Sequence, residues 1–186
     1  MTPKKVMNDK VLESFLEAQN REGLELARQS DLLELYPQGI PPVQCWIARF
    51  RCQGLVTNEH GHVSVADDFA VGIYFPDDYL RRAHPAEVLT WLHPKRPHHP
   101  NVASEEGLPL ICIGRMSPGM SLVEILYQIF EIITYGKVTM QESAALNKAA
   151  CRWARQHAHL FPIDRRPLKR QRIRIQVNAR EEANPE

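Results

Sequence analysis

The sequence contains no apolar run close to the roughly 20 residues that a membrane-spanning helix needs. Its first residues, Met1–Lys10, are polar and lack the apolar centre of a secretory signal. We therefore expect a cytoplasmic location and no membrane partner.

The sequence also lacks a dominant charge and a cysteine framework. Lys and Arg number 23 against 22 Asp and Glu, so the net charge is +1 and no whole-chain field attracts nucleic acid. The cysteines are Cys45, Cys52, Cys112 and Cys151; none forms a C-x-x-C pair, and their density is far below that of a disulfide scaffold. This favours a reduced protein.

The N-terminal part of the chain carries a helical pattern, which Asn8 or Asp9 can cap. Gly23 is expected to divide this helix, and the segment Tyr36–Pro42 is expected to end it. Apolar residues recur at helical spacing at Val11, Leu12, Phe15, Leu16, Leu24, Ala27, Leu32, Leu33 and Leu35.

Short strands are predicted next. Segment 44–52 mixes β-branched and aromatic residues, segment 58–62 predicts a hairpin turn, and apolar residues of one parity predict a strand over 63–75. A further strand is expected over 88–92. Such short and closely spaced strands favour a four-stranded antiparallel meander.

Two helices are predicted after the strands. Ser121 and Glu124 form a Ser-x-x-Glu capping box before a broad apolar face, and a second helix is expected over 141–159. The sequence therefore predicts an α+β fold. We expect a helical extension over 1–21, a domain over 22–160 and a basic tail over 161–186, in which 172–177 alternates like an edge strand.

Cys112 is the cysteine placed where chemistry is plausible, because it follows an apolar pair and precedes the irregular segment 114–118. A thiolate is both a strong nucleophile and a good leaving group, as a transferable acyl thioester requires. A buried core cysteine is the alternative, since free cysteine is among the most buried residue types.

Four segments, in this order, resemble signatures of the ubiquitin-conjugating enzyme family, and the resemblance covers residues 22–160. Arg28–Ile40 also resembles the family's first helix and its exit, and 141–159 resembles a later helix. The four segments are Phe75-Pro76-Asp77-Asp78-Tyr79, His99-Pro100-Asn101, Ile111-Cys112-Ile113 and Ser117-Pro118.

This resemblance implies a UBC-like fold with a catalytic loop and an acyltransferase that needs no cofactor. Cys112 would carry a ubiquitin-like protein as a thioester and pass it to an amine, normally on lysine. The amide of Asn101 would stabilise the oxyanion or brace the neighbouring loop, and His99 and Pro100 would be structural. The implied partners are a ubiquitin-like protein, an activating enzyme, a target protein and, as a further candidate, a ligase.

The sequence departs from the family pattern in several places, which suggests a divergent member of a bacterial ubiquitin-like conjugation system. Gly114 stands where many relatives have Asp, Met116 where Trp is common, and Leu80 replaces a proline. The span from Asn101 to Cys112 is longer than usual, and the span from Cys112 to Ser117 is shorter.

Other functions remain open at this point. A non-catalytic UBC-like scaffold is the main alternative, and a basic RNA-associated domain of unrelated fold is another, because segment 165–172 is rich in Arg and Lys. Nucleic acid ranks below a protein partner there, since stacking aromatics are missing. No metal is expected, because no familiar ligand spacing includes the histidines His60, His62, His93, His98 and His99.

Overall fold

The computed structural model describes residues 10–103 and 110–170. These residues form an α+β fold with an N-terminal helix, a four-stranded antiparallel sheet and further helices, as the sequence predicts. None of the helices in these two ranges has the length and apolar content to cross a membrane. The elements are α1 Lys10–Arg28, β1 Leu33–Gln38, β2 Cys45–Phe50, β3 Gly54–Thr57, β4 Val63–Ala66, β5 Phe69–Tyr74, α2 Pro85–Val88, β6 Leu89–His93, α3 Leu122–Ile133 and α4 Lys148–Gln156, followed by a 3-10 turn at Ala158–Leu160.

Helix α1 is continuous through Gly23, so the predicted division there is wrong. A Cβ at Gly23 would lie 2.7 Å from Leu122 Cδ2 and 2.8 Å from Leu35 Cδ2, so the glycine allows α1 to pack closely on α3 and β1. The boundary expected between residues 21 and 22 falls inside this unbroken helix. The caps proposed at Asn8 and Asp9 lie outside the described residues.

The helix expected over Arg28–Ile40 is wrong, because α1 ends at Arg28 and the chain then enters β1. Leu33 and Leu35 are buried as alternate residues of a strand, and Leu35 pairs with Ala48 of β2 in an antiparallel ladder. The two leucines fit either a helical stripe or a strand when the sequence is considered alone, and pairing with β2 decides between them.

The main sheet has the strand order β1-β2-β5-β6, with each neighbouring pair antiparallel. The strand expected over 63–75 is two strands, because β4 pairs with β3 in a separate hairpin while β5 pairs with β2. The predicted turn at 58–62 is confirmed: Asn58 Oδ1 accepts from the N–H groups of His60 at 3.0 Å and His62 at 2.9 Å.

Helix α3 begins with the predicted capping box, in which Ser121 and Glu124 each bond the other's backbone N–H. Its apolar face lies in the main core, and the helix packs against α1. Helix α4 starts at Lys148 rather than at the predicted residue 141. The N–H groups of Leu146 and Asn147 donate to Pro100 O, and Asn147 Oδ1 caps Ala150 N–H at 2.9 Å, which fixes the start of the helix.

The first ten residues of the predicted basic tail, 161–170, form a strap that packs on the domain. Leu168 is only 2% exposed and belongs to the main core. Arg170 N–H donates to Gln29 O at 2.9 Å, and its guanidinium pairs with Asp31 at 2.7 Å. The edge strand proposed over 172–177 lies outside the described residues.

Candidate functional site

The cysteines differ in their exposure to solvent. Cys52 and Cys151 are buried, and burial raises the pKa of Cys52 to about 12. Cys45 is half-buried on β2, and Cys112 is half-buried in the irregular chain between β6 and α3. A buried thiol is out of reach of a reaction partner, so Cys112 and Cys45 are the cysteines that such a partner can reach.

The backbone of Cys112 is held by Asn101 in two ways. Cys112 N–H donates to Asn101 O at 2.8 Å, and the side-chain Nδ2 of Asn101 donates to Cys112 O at 3.0 Å. A bridge between Val102 and Ile111 runs alongside these bonds. The fold therefore places Asn101 and Cys112, the two candidate catalytic residues, side by side.

The side chain of Asn101 joins a third segment to this pair. Asn101 is only 5% exposed, and its Oδ1 accepts from Thr139 N–H at 3.0 Å. Both ends of one buried amide are thus bonded, one to the cysteine loop and one to the chain after α3. Of the two roles that the resemblance implies for Asn101, a brace for the loop is the one visible in these contacts.

His99 and Pro100 make their polar contacts with backbone. His99 Nδ1 accepts from Asn101 N–H at 3.0 Å, which places the ring proton on Nε2. Pro100 O accepts from the N–H groups of Leu146 at 2.8 Å and Asn147 at 3.1 Å. The His-Pro-Asn segment therefore connects the cysteine loop with the start of α4.

His99 and its neighbour His98 are buried in a way that keeps them neutral. Burial, with a smaller contribution from His98, lowers the pKa of His99 to about 3, and the backbone of Lys137 offsets only part of this shift. Burial alone lowers the pKa of His98 to about 4. Neither Nε2 atom has a hydrogen-bond partner among the described residues.

Tyr135 covers both histidines. Its hydroxyl donates to His98 O, and its ring stands edge-on to the His99 imidazole with centroids 4.4 Å apart. Its backbone φ is 63°, a left-handed conformation that is uncommon for a bulky residue. The chain leaving α3 is therefore turned sharply against the His-Pro-Asn segment.

The segment after Cys112 is anchored by the Phe-Pro-x-x-Tyr motif. Tyr79 O–H donates to Met120 O at 2.7 Å, and the Tyr79 ring stacks on Phe75 with centroids 4.1 Å apart. Burial raises the pKa of Tyr79, so the hydroxyl stays protonated. Met116 is buried, and Ser117 and Pro118 are exposed.

Lys137 contacts the cysteine loop and was not identified from the sequence. Its Nζ donates to Ile113 O at 2.6 Å and to Gln128 Oε1. Gly114, which follows Ile113 in the chain, has a φ of 90°, a conformation that favours glycine over other residues. Gly136 signals the end of α3, but no sequence pattern places Lys137 beside a residue 24 positions earlier.

Within residues 10–103 and 110–170, no group of three His, Cys, Asp or Glu side chains is arranged to hold a metal ion. The arrangement instead presents a reachable thiol on a backbone fixed by Asn101 and Lys137, with an amide donor beside it. No protein-family model matches the chain, and no curated protein shows significant similarity to it.

Proposed function

We propose that this chain is a ubiquitin-conjugating-type enzyme that carries a ubiquitin-like protein on Cys112. The observation that carries the proposal is the interlock of the His-Pro-Asn segment with the cysteine segment. Asn101 and Cys112 are 11 residues apart, and each holds the other's backbone. The resemblance to UBC-like proteins, in motif order and in a helix–sheet–helix layout, supports the same assignment.

The first step is a thioester exchange. The Cys112 thiolate attacks the carbonyl carbon of the modifier's C-terminal residue, which is bound as a thioester to the activating enzyme. A tetrahedral intermediate collapses, and the activating enzyme's thiolate leaves. Because one thioester replaces another, the reaction is close to balanced in free energy and needs no cofactor on this chain.

The second step transfers the acyl group to an amine. The neutral amine nitrogen attacks the thioester carbonyl carbon, and the Cys112 thiolate leaves. The attacking nitrogen loses a proton to solvent and becomes the amide nitrogen. A lysine with a pKa near ~10.4 is mostly protonated at neutral pH, so its neutral form must be favoured by desolvation or by a group of the target.

Asn101 serves both steps in this proposal. An amide nitrogen carries two hydrogens, and one of them is used by Cys112 O. The other is the donor proposed for the oxyanion of the tetrahedral intermediate. A single oxyanion donor typically contributes roughly 100- to 1000-fold in rate.

The departures from the family pattern fit the same assignment. At a φ of 90°, aspartate at position 114 would be strained, which accounts for Gly114. Leu80 packs against the core and Met116 is buried within it, so both act as apolar supports.

The test is a charging assay with a candidate activating enzyme, ATP and its ubiquitin-like protein, run on non-reducing and reducing gels. We expect a shifted band that a reductant removes and that Cys112→Ala abolishes. Cys45→Ala, which changes the other cysteine that is not fully buried, is the matched control and should charge normally.

Absence of the band, with the activating enzyme demonstrably charged, would favour the non-catalytic scaffold. In that case both variants should bind the modifier or partner enzyme equally well. The proposal also requires a reduced Cys112 and hence a reducing compartment, for which we propose the cytoplasm. Its partners are the modifier, the activating enzyme, a target protein and a ligase where the target requires one.

A further inference from the structure

Lys137 supports the cysteine loop directly, and no sequence motif accounts for it. Its N–H donates to Glu131 O at 3.0 Å, so its backbone is fixed on the last turn of α3. Its half-buried ammonium then reaches Ile113 O, one residue beyond Cys112, at 2.6 Å. A second bond to Gln128 Oε1 orients the side chain from α3.

The bond to Ile113 completes a set of three around Cys112. Asn101 O and Asn101 Nδ2 fix the N–H and the carbonyl of Cys112, and Lys137 fixes the carbonyl that follows. Thr139 N–H in turn holds Asn101 Oδ1. The short segment 137–139 therefore supports the cysteine loop directly through Lys137 and indirectly through Asn101.

The local backbone is arranged to bring Lys137 to this place. Tyr135, two residues earlier, has the left-handed φ of 63° that turns the chain out of α3. A left-handed bulky residue is unfavourable and persists only where its surroundings hold it. At Gly114, an added Cβ would stand 3.6 Å from Lys137 Nζ, so the ammonium lies directly against this turn.

The charge of Lys137 is not used in an ion pair within the described ranges, where it meets two neutral oxygens. Burying the charged ammonium of a lysine costs more free energy than burying a neutral hydrogen-bond donor. A charge-assisted bond holds a carbonyl more firmly than a neutral one, and that firmness is useful where a nucleophile must be positioned.

We propose that Lys137 is a positioning residue that fixes the Cys112 loop for acyl transfer through its bond to Ile113 O. This role rests on the proposed conjugating function, and it adds a residue to that site. Lys137 does not touch the reacting atoms, so its effect is on the placement of the thiol.

The experiment compares Lys137→Met, Lys137→Arg and the exposed control Lys95→Met in the full chain. The first readout is single-turnover discharge of the preformed thioester to free lysine, well below the melting temperature. We expect discharge to be about ten-fold slower in K137M, partly restored in K137R and unchanged in K95M. Equal discharge in K137M and K95M overturns the proposal.

The second readout needs no partner protein. Iodoacetamide labelling, resolved by peptide mapping, reports each cysteine separately. We expect Cys112 to be labelled several-fold faster in K137M, because its loop is loosened, while buried Cys52 stays protected. Faster labelling of both cysteines indicates general unfolding and overturns the proposal.

The two readouts separate two kinds of failure. If the wild-type chain forms no thioester with a charged activating enzyme, the conjugating function fails. The labelling result then tests the role of Lys137 by itself. Faster labelling of Cys112 alone in K137M is the result expected if Lys137 holds this loop, and unchanged labelling overturns that role.

Discussion

Replacing Asn101 by alanine tests the brace at the centre of the site. The substitution removes the bonds from Nδ2 to Cys112 O and from Thr139 N–H to Oδ1, each 3.0 Å long. Each lost hydrogen bond costs about 1 kcal/mol, and each partner left unsatisfied adds to that cost. We therefore expect N101A to lower the free energy of unfolding by about 2–4 kcal/mol.

Thermal denaturation measures this loss. For a chain of this size, about 3 kcal/mol corresponds to a fall in melting temperature of roughly 6–12 °C. Asn20→Ala is the matched control, because Asn20 Oδ1 accepts one bond, from Trp46 Nε1 at 3.0 Å, away from the site. N20A should lower the melting temperature by a smaller amount.

Asn101→Asp sharpens the same test. A carboxylate keeps the acceptor for Thr139 N–H but turns an oxygen towards Cys112 O in place of a donor. At neutral pH, N101D should therefore be no more stable than N101A. Protonation in mild acid restores a donor, so N101D should gain stability relative to N101A as the pH falls from 7 to 4.

Discharge of the thioester separates the brace from catalysis. Measured well below all melting temperatures, discharge should be at least 100-fold slower in N101A and unchanged in N20A, if Asn101 also supplies an oxyanion donor. A melting temperature of N101A within about 2 °C of the wild type would refute the brace. Slow discharge without thermal destabilisation would then assign Asn101 to chemistry alone.

Two further predictions concern other parts of the fold. The pKa values of His99 and His98 are about 3 and about 4 in the fold and ~6.5 in the unfolded chain, so the unfolded chain binds the extra protons and stability falls as the pH drops below 6.5. We expect the two histidines together to lower the free energy of unfolding by about 3 kcal/mol between pH 6.5 and 5, measured by urea unfolding. The variant His60→Gln, which changes an exposed histidine, should show the same slope, and a flat profile of the wild type would contradict the assignment. Leu168→Ala should lower the free energy of unfolding by about 2–4 kcal/mol while exposed Lys169→Ala has little effect, and equal melting temperatures of the two variants would mean that the strap does not pack on the core.

The sequence predicts the elements whose pattern is set by local chemistry. The capping box at Ser121 is local, because both of its bonds lie within four residues. The turn at Asn58 is equally local, since one side-chain oxygen accepts both of its N–H groups. These predictions succeed because the bonds that form both features join residues close together in the sequence.

The predictions that fail concern features that depend on contacts with residues far away in the sequence. Leu33 and Leu35 fit a helical stripe until β2 pairs with them. The start of α4 depends on Pro100 O, which lies far back in the chain. Gly23 resembles a helix breaker, yet it is required by the side chains of Leu122 and Leu35 against α1.

The same distinction applies to the site. Cys112 and Asn101 can be identified from their motifs, and the fold places them in contact. Lys137 and Thr139 contribute through a turn after α3 that no motif marks, so the sequence alone gives no reason to select them.

The location of Cys112 outside regular structure explains why its loop needs several separate supports. A residue in a helix or strand is held by a repeating backbone ladder, whereas Cys112 has only the bonds that neighbouring segments supply. Asn101 holds its two backbone polar groups, and Lys137 holds the carbonyl after it. Because Asn101 itself depends on Thr139, both supports converge on the exit of α3. Substitutions at this exit should therefore affect Cys112 more strongly than substitutions nearer to it in sequence, such as those at exposed Arg115.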